Sequence, residues 1–341
     1  MIAAAAQPGA LRRALPYLRF PMQLSLAAAL LAALLWRVDI GAVREELKGA
    51  TLWWLPLAFV FNLTSDWFRA IRWRQFFAPM KVLDVPFLFG VAVLGVACNL
   101  ALPLRAGEFV RVQVLRRRTG LSAANIVATL FSEKLMDVVA FTSFIVLGTL
   151  LYEDARFLWP LGAAYAAVLG GGVAGALWLA RPAVRDVGGG SVAWRSRLAS
   201  QAESLGEGLR AFRSRRAMFH VVWASHAAWL CEAVMFYACG RALGIDLSPA
   251  VYLLVVVAAT VAVSVPVTQA GLGVFELAIA GLLVAFGVGE SQAAAYALFS
   301  HVMLALPYFA TGPLAAFALR VSVSDVLFLR SGDAQQRGVL S

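Results

Sequence analysis

Arg105, Glu108 and Arg111 lie three residues apart, the spacing that gathers side chains on one face of a helix. A guanidinium fork matches phosphate oxygens two at a time, so this stripe could bind a phosphate. An internal Arg–Glu–Arg pairing that only steadies the segment is compatible with that role. Gly107, between them, allows close backbone approach. Glu133, Lys134 and Asp137 follow within an otherwise apolar stretch, "FSEKLMD". A charge at membrane depth costs at least ~2.5 kcal/mol, so these side chains face the protein interior or water and have partners. Glu133 and Asp137 are four apart and share a face. They are either counter-ions for Arg105 and Arg111 or competitors with a phosphate for them, protonated in turn. Further on, Thr268, Gln269, Gly271 and Gly273 offer hydroxyl, amide and backbone donors at a helix start, which attracts anions. Glu276 falls in the first turn of that helix, where it complements the dipole or caps the end.

Other residue sets carry less. Asp66, Arg69 and Arg72 close an apolar run at three-residue spacing and suit an anchor at the cytoplasmic interface. His220, His226 and His301 with Glu232 do not form a metal set, and Cys98, Cys231 and Cys239 lack metal-ligand spacing. "GLG" at 271–273 has neither the preceding strand nor the distal acid of a nucleotide loop. No nucleophile stands beside a base. The expectation is therefore a protein without a cofactor or metal, and not an enzyme.

The elements that must position these residues are membrane helices. The chain has 341 residues, 61% of them hydrophobic and 14% charged, and a mean hydropathy of +0.79. That is more apolar surface than a water-soluble core can hide. Apolar runs recur at about 20–36, 50–71, 85–103, 124–152, 157–180, 217–240, 250–265, 272–287 and 295–319. The first is followed by Arg37 and no small-residue cleavage pattern, which suits a retained span rather than a signal peptide. One integral membrane domain over 1–341 follows. The excess of 29 Lys+Arg over 19 Asp+Glu reports topology rather than nucleic acid.

Charge also decides which runs cross. Arg12, Arg13 and Arg19 place the N-terminus in the cytoplasm, and Arg69, Arg72, Arg74 and Lys81 bring the chain back there. A full crossing by 85–103 would then put Arg105, Arg111 and Arg116 to Arg118 outside and invert every later loop. If instead 85–118 enters, breaks at 99–107 and returns, the later loops fall on the expected sides. "SVPVTQAGLGVFE", 264–276, is interrupted by Pro266, Gly271 and Gly273 and predicts a second, opposed hairpin over 250–287. The C-terminus is then cytoplasmic, and 23 of the 29 basic residues lie inside or in the first hairpin. The expected fold is an all-α polytopic membrane protein with about six full transmembrane helices and two opposed re-entrant helical hairpins, an inverted repeat. Broken helices in corresponding halves point to a transporter-like cavity. Trp194, Leu198, Leu205, Leu209 and Phe212 recur at helical spacing opposite arginines, giving a cytoplasmic amphipathic connector over 181–216.

"NLALPLRAGEFVRV", "SEKLMD" and "AGLGVFE", in this order and separation, resemble the transmembrane region of the lysylphosphatidylglycerol synthase family over about residues 20–320. The resemblance implies a flippase-like domain of a bacterial cytoplasmic (inner) membrane that moves a lipid with a polar headgroup between leaflets. It further implies a stand-alone member without the soluble aminoacyltransferase domain of bifunctional relatives. Asn99, Arg105, Gly107, Glu108 and Arg111 match the first motif, and Glu133 and Asp137 match the acidic pair of the next span. Lys134 stands where the family usually has arginine, and Gln269-Ala270 stands where a proline-glycine pair is usual. The implied partners are phospholipids or other phosphate-bearing lipids. A pathway enzyme, for hopanoids, glycolipids or aminoacyl-lipids, is a further possible partner if the protein is instead an accessory that presents lipid without moving it.

Overall fold

The computed structural model describes residues 8–36, 38–102, 106–152, parts of 159–171, 214–264 and 268–321. The described residues fold as helices: α1 (Pro8–Trp36), α2 (Ile40–Lys48), α3 (Leu55–Phe77), α4 (Val85–Ala101), α5 (Ala106–Thr119), α6 (Ala123–Leu151), α7 (Arg215–Ala242), α8 (Val251–Ser264), α9 (Val274–Ala285) and α10 (Glu290–Ala318). The 157–180 run lies largely, and the 181–216 connector almost entirely, outside the described residues. The protein is an all-α polytopic membrane protein. Helices α6, α7 and α10 are each long and apolar enough to cross a membrane. On α10 the exposed Val302, Leu306, Phe309 and Phe317 recur at helical spacing, a stripe for lipid, while Tyr296, Ser300, Met303, Tyr308 and Ala315 face inward. Helix α3 is of similar length but carries Asp66, Arg69, Arg72 and Arg74.

Two apolar clusters sit at opposite ends of the long helices. One gathers Ala58 of α3, Phe141, Phe144 and Ile145 of α6, Trp229 to Cys239 of α7 and Ala293 to Met303 of α10 around α8 and α9. The other gathers Ala70 to Phe77 of α3, Ile126 and Leu135 of α6, Val221 of α7 and Tyr308 to Leu319 of α10 around α4 and α5. Each long helix therefore runs from one cluster to the other, with α3 and α10 running opposite to α6 and α7. The α4–α5 pair belongs to one end and the α8–α9 pair to the other, which is the opposed arrangement of hairpins expected from the charge pattern.

Local chemistry makes both breaks. Leu102 precedes Pro103, whose ring disfavours helical backbone before it, and Leu102 is extended at φ −114° and ψ 144°. Beyond the break α5 returns against α4, with Gly107 on Gly95. A Cβ at Gly107 would lie well inside contact with the Gly95 carbonyl oxygen and 2.7 Å from Asn99 Oδ1, so only glycine lets the two helices approach. In the second break Gly271 and Gly273 adopt φ 80° and 83° around a short 3₁₀ turn, Gln269–Gly271. Ala270 takes φ 53° there, in the left-handed region that favours glycine.

Candidate functional site

Between the two apolar clusters the long helices become polar. Asn62, Asp66 and Arg69 of α3, Glu133 and Asp137 of α6, Glu232 of α7 and Tyr308 of α10 lie at mid-helix, and most line or border one cavity of about 970 Å³. Helix α1 contributes Met22, Gln23 and Leu26, and the two hairpin breaks contribute Asn99, Leu100, Thr268, Gln269 and Gly271. The volume lies at the upper end of small-molecule pockets, and the apolar residues of α1, α4 and α8 make its walls oily beside the charges.

The charges form two linked sets. In the first, Glu133 bridges two arginines: one oxygen is 2.9 Å from Arg111 of α5 and the other 3.7 Å from Arg72 of α3. Arg72 also bonds Asp137 at 2.7 Å and Ser225 at 3.2 Å, while Arg111 is 3.4 Å from Glu108. Asp137 accepts from the Trp229 indole at 3.0 Å and has Lys134 at 3.6 Å. In the second set Arg69 pairs with Glu232 and lies 3.5 Å from Asp66, and Asp66 accepts from the Tyr308 hydroxyl at 2.8 Å. Two guanidiniums also lie over indole rings, Arg111 at 4.1 Å from Trp73 and Arg69 at 4.2 Å from Trp229. The Nε donors of Arg69, Arg72 and Arg111 and the Thr268 hydroxyl are buried and unpartnered among the described residues. Such groups leave hydrogen-bonding capacity for a guest.

A match to the family model described as "Lysylphosphatidylglycerol synthase TM region" covers residues 22–312, most of the chain and all of this cavity. The chain belongs to this family. The comparison with curated proteins gives no match. Membership supports a membrane protein related to lipid modification or transport, and the geometry must supply the detail.

The expected site residues divide accordingly. Glu108, Arg111, Glu133 and Asp137 come together in the cavity, and Arg111 has Glu133 as its counter-ion. Arg105 lies outside the described residues. Asn99 lines the cavity and accepts from the Gly107 amide at 2.8 Å, holding the first hairpin closed. Gln269 joins the two breaks: its amide donates to the carbonyls of Asn99, Leu100 and Leu102 at 3.2, 3.4 and 2.9 Å, capping the end of α4. Gly273 and Glu276 are not among the lining residues. The Gly273 amide is taken by Glu276 at 2.6 Å, and the other Glu276 oxygen meets His301 at 2.7 Å, so this amide and this carboxylate are engaged within the protein. Thr268 and Gly271 line the cavity.

Asp66, Arg69 and Arg72 correct the interface-anchor expectation. Arg72 is only 2% exposed and Asp66 1%, and both are held by residues of other helices. The reason is the helix start. Trp53 and Trp54 precede a helix with Pro56 in its first turn, so α3 begins at Leu55 and Asp66 lies about 17 Å along it, mid-helix rather than at an end. Counting from that proline and its tryptophans would have revealed the depth. Glu232, Trp73, Trp229 and Tyr308 carried no signal of their own, since their roles depend on helices far apart in sequence.

Proposed function

We propose that the protein is a lipid translocase that carries a phosphate-bearing lipid between leaflets, its headgroup in the cavity between the two helix breaks and its acyl chains in lipid. The observation that carries this reading is the pair of guanidiniums of Arg72 and Arg111, brought from separate hairpin and span elements to one carboxylate in a large cavity. Two forks converging on one small anion fit the tetrahedral oxygens of a phosphate. Glu108, Asp137 and Lys134 set the charge around it, and Thr268 adds a hydroxyl from the opposite break. On its sequence spacing alone, Arg105 is a further candidate phosphate ligand. Oily walls from α1, α4 and α8 suit the glycerol and the first acyl carbons. The protein acts without covalent chemistry, in a bacterial cytoplasmic membrane with both termini on the cytoplasmic side.

The test is leaflet exchange of fluorescent phospholipids in proteoliposomes, with wild type set against Arg111→Ala. The change removes a charge-assisted contact, which weakens binding by at least about tenfold. Exchange should fall accordingly while the melting temperature in detergent shows that the variant is folded. Exchange no faster than in protein-free vesicles, for anionic and zwitterionic lipids alike, would overturn translocation in favour of an accessory that presents lipid to a pathway enzyme.

A further inference from the structure

Glu133 occupies the place between Arg72 and Arg111 that the reading above gives to phosphate. Its two oxygens each address a different guanidinium, at 3.7 and 2.9 Å. A guest phosphate that takes those forks must displace it. The other acids of this set are held differently. Asp137 keeps the Trp229 indole, 3.0 Å away, and the Lys134 ammonium when Arg72 is shared. The Glu108 side chain is 37% exposed and open to water. Glu133 is buried, and among the described residues its carboxylate meets only guanidiniums. Displaced as an anion, it would be a buried charge beside a second one, an arrangement that a low-dielectric interior strongly disfavours.

Among the described residues the surroundings offer no other compensation. Facing the same space are Asp66 and Arg69 of α3, Glu232 of α7, and His301 and Tyr308 of α10. Asp66 and Glu232 already share one arginine, and Tyr308 donates to Asp66. His301 is engaged with Glu276. Among the described residues of the first set, Arg72, Arg111 and Lys134 balance Glu108, Glu133 and Asp137, so against these a phosphodiester adds one negative charge that a single proton cancels.

We propose that Glu133 is a proton-linked placeholder for the ligand's phosphate, so that each phosphate held by Arg72 and Arg111 is accompanied by one proton taken up at this carboxylate. The inference rests on the phosphate reading of the cavity. Binding moves Glu133 off the guanidiniums as a neutral acid. Release returns the proton to water and the carboxylate to its bridge, so lipid movement is coupled to proton movement in the same direction.

The experiment is calorimetric titration of the full-length protein in detergent with short-chain phosphatidylglycerol. It is run between about pH 5 and pH 8 in pairs of buffers of different ionisation enthalpy, which yields the number of protons bound per ligand. Wild type should take up close to one proton at the upper end of the range, with affinity falling by up to tenfold per pH unit there. Glu133→Gln should take up none, with affinity constant within about twofold, while Asp137→Asn keeps the uptake. Infrared difference spectra of the wild type should gain the C=O stretch of a protonated carboxyl on binding, a readout that does not depend on a variant folding. Binding by wild type without proton uptake or that stretch, or equal uptake in Glu133→Gln, sinks the proton linkage and leaves the phosphate site standing. No binding by wild type at any pH overturns the phosphate site itself.

Discussion

Replacing Arg72 by Met separates a buried keystone from a surface anchor, because the two roles differ severalfold in free energy. Arg72 is 2% exposed, bonds Asp137 at 2.7 Å and Ser225 at 3.2 Å, and lies 3.7 Å from Glu133. Without it Asp137 retains the Trp229 indole at 3.0 Å and Lys134 at 3.6 Å, and Glu133 retains Arg111. Breaking a buried pair by deleting one partner costs about 3 to 5 kcal/mol, mostly from the charge left behind. A solvated arginine at a membrane interface would cost roughly 0 to 1 kcal/mol. The assay is reversible unfolding in mixed micelles, with the midpoint and slope fitted together. The double variant Arg72→Met/Asp137→Leu removes both charges and should recover part of the loss, since coupled neighbours commonly show about 0.5 to 3 kcal/mol of interaction. A single variant within about 1 kcal/mol of wild type, or a double variant no more stable than the single, would refute the assignment of Arg72 to the buried network.

Gly107→Ala should destabilise by about 1 to 3 kcal/mol in the same assay, because the new methyl has to push α5 off the Gly95 carbonyl of α4; an unchanged midpoint would mean that the two helices do not pack so closely. Gln269→Leu removes three donations to the end of α4 and should loosen the contact between the breaks. Hydrogen exchange at the backbone amides of 269–273 should speed up while that of α6 stays slow, and equal protection in variant and wild type would show that the side chain does not tie the hairpins together.

What could be read from one sequence follows physical range. The helix breaks are local events, written in Pro103, Pro266 and the glycines at 271 and 273, and they appear where those residues predict. The pairing of α5 with α6 was legible because Arg111 and Glu133 are close in the chain and each needs a partner at membrane depth. The contribution of α3 was not. Its three-residue spacing fits a helix face at any depth, and only the helix start fixes which depth. Glu232 was weighed only as a possible metal ligand, and its pairing with Arg69 spans 163 positions, which no local pattern reports. Glu276 shows the converse. A carboxylate in a first helical turn predicts both a cap and an interaction with an anion site, and the Gly273 amide and His301 consume both of its oxygens.

The cavity's arginines are not bare cations waiting for an anion. Arg69, Arg72 and Arg111 each lie near two carboxylates, and with Lys134 they face Asp66, Glu108, Glu133, Asp137 and Glu232 among the described lining residues. Four basic groups facing five acids leave few of these charges isolated, and an isolated charge at membrane depth costs about 2.5 kcal/mol or more. An anionic guest of the proposed kind would be admitted by exchange of partners rather than by adding to a field of one sign. Exchange would keep the step between the empty and occupied states small, which suits the proposed translocase. On the proposed reading it also ties binding to whatever neutralises the displaced carboxylate, so the charge that accompanies a lipid would be set by the protein's own acids as much as by the lipid.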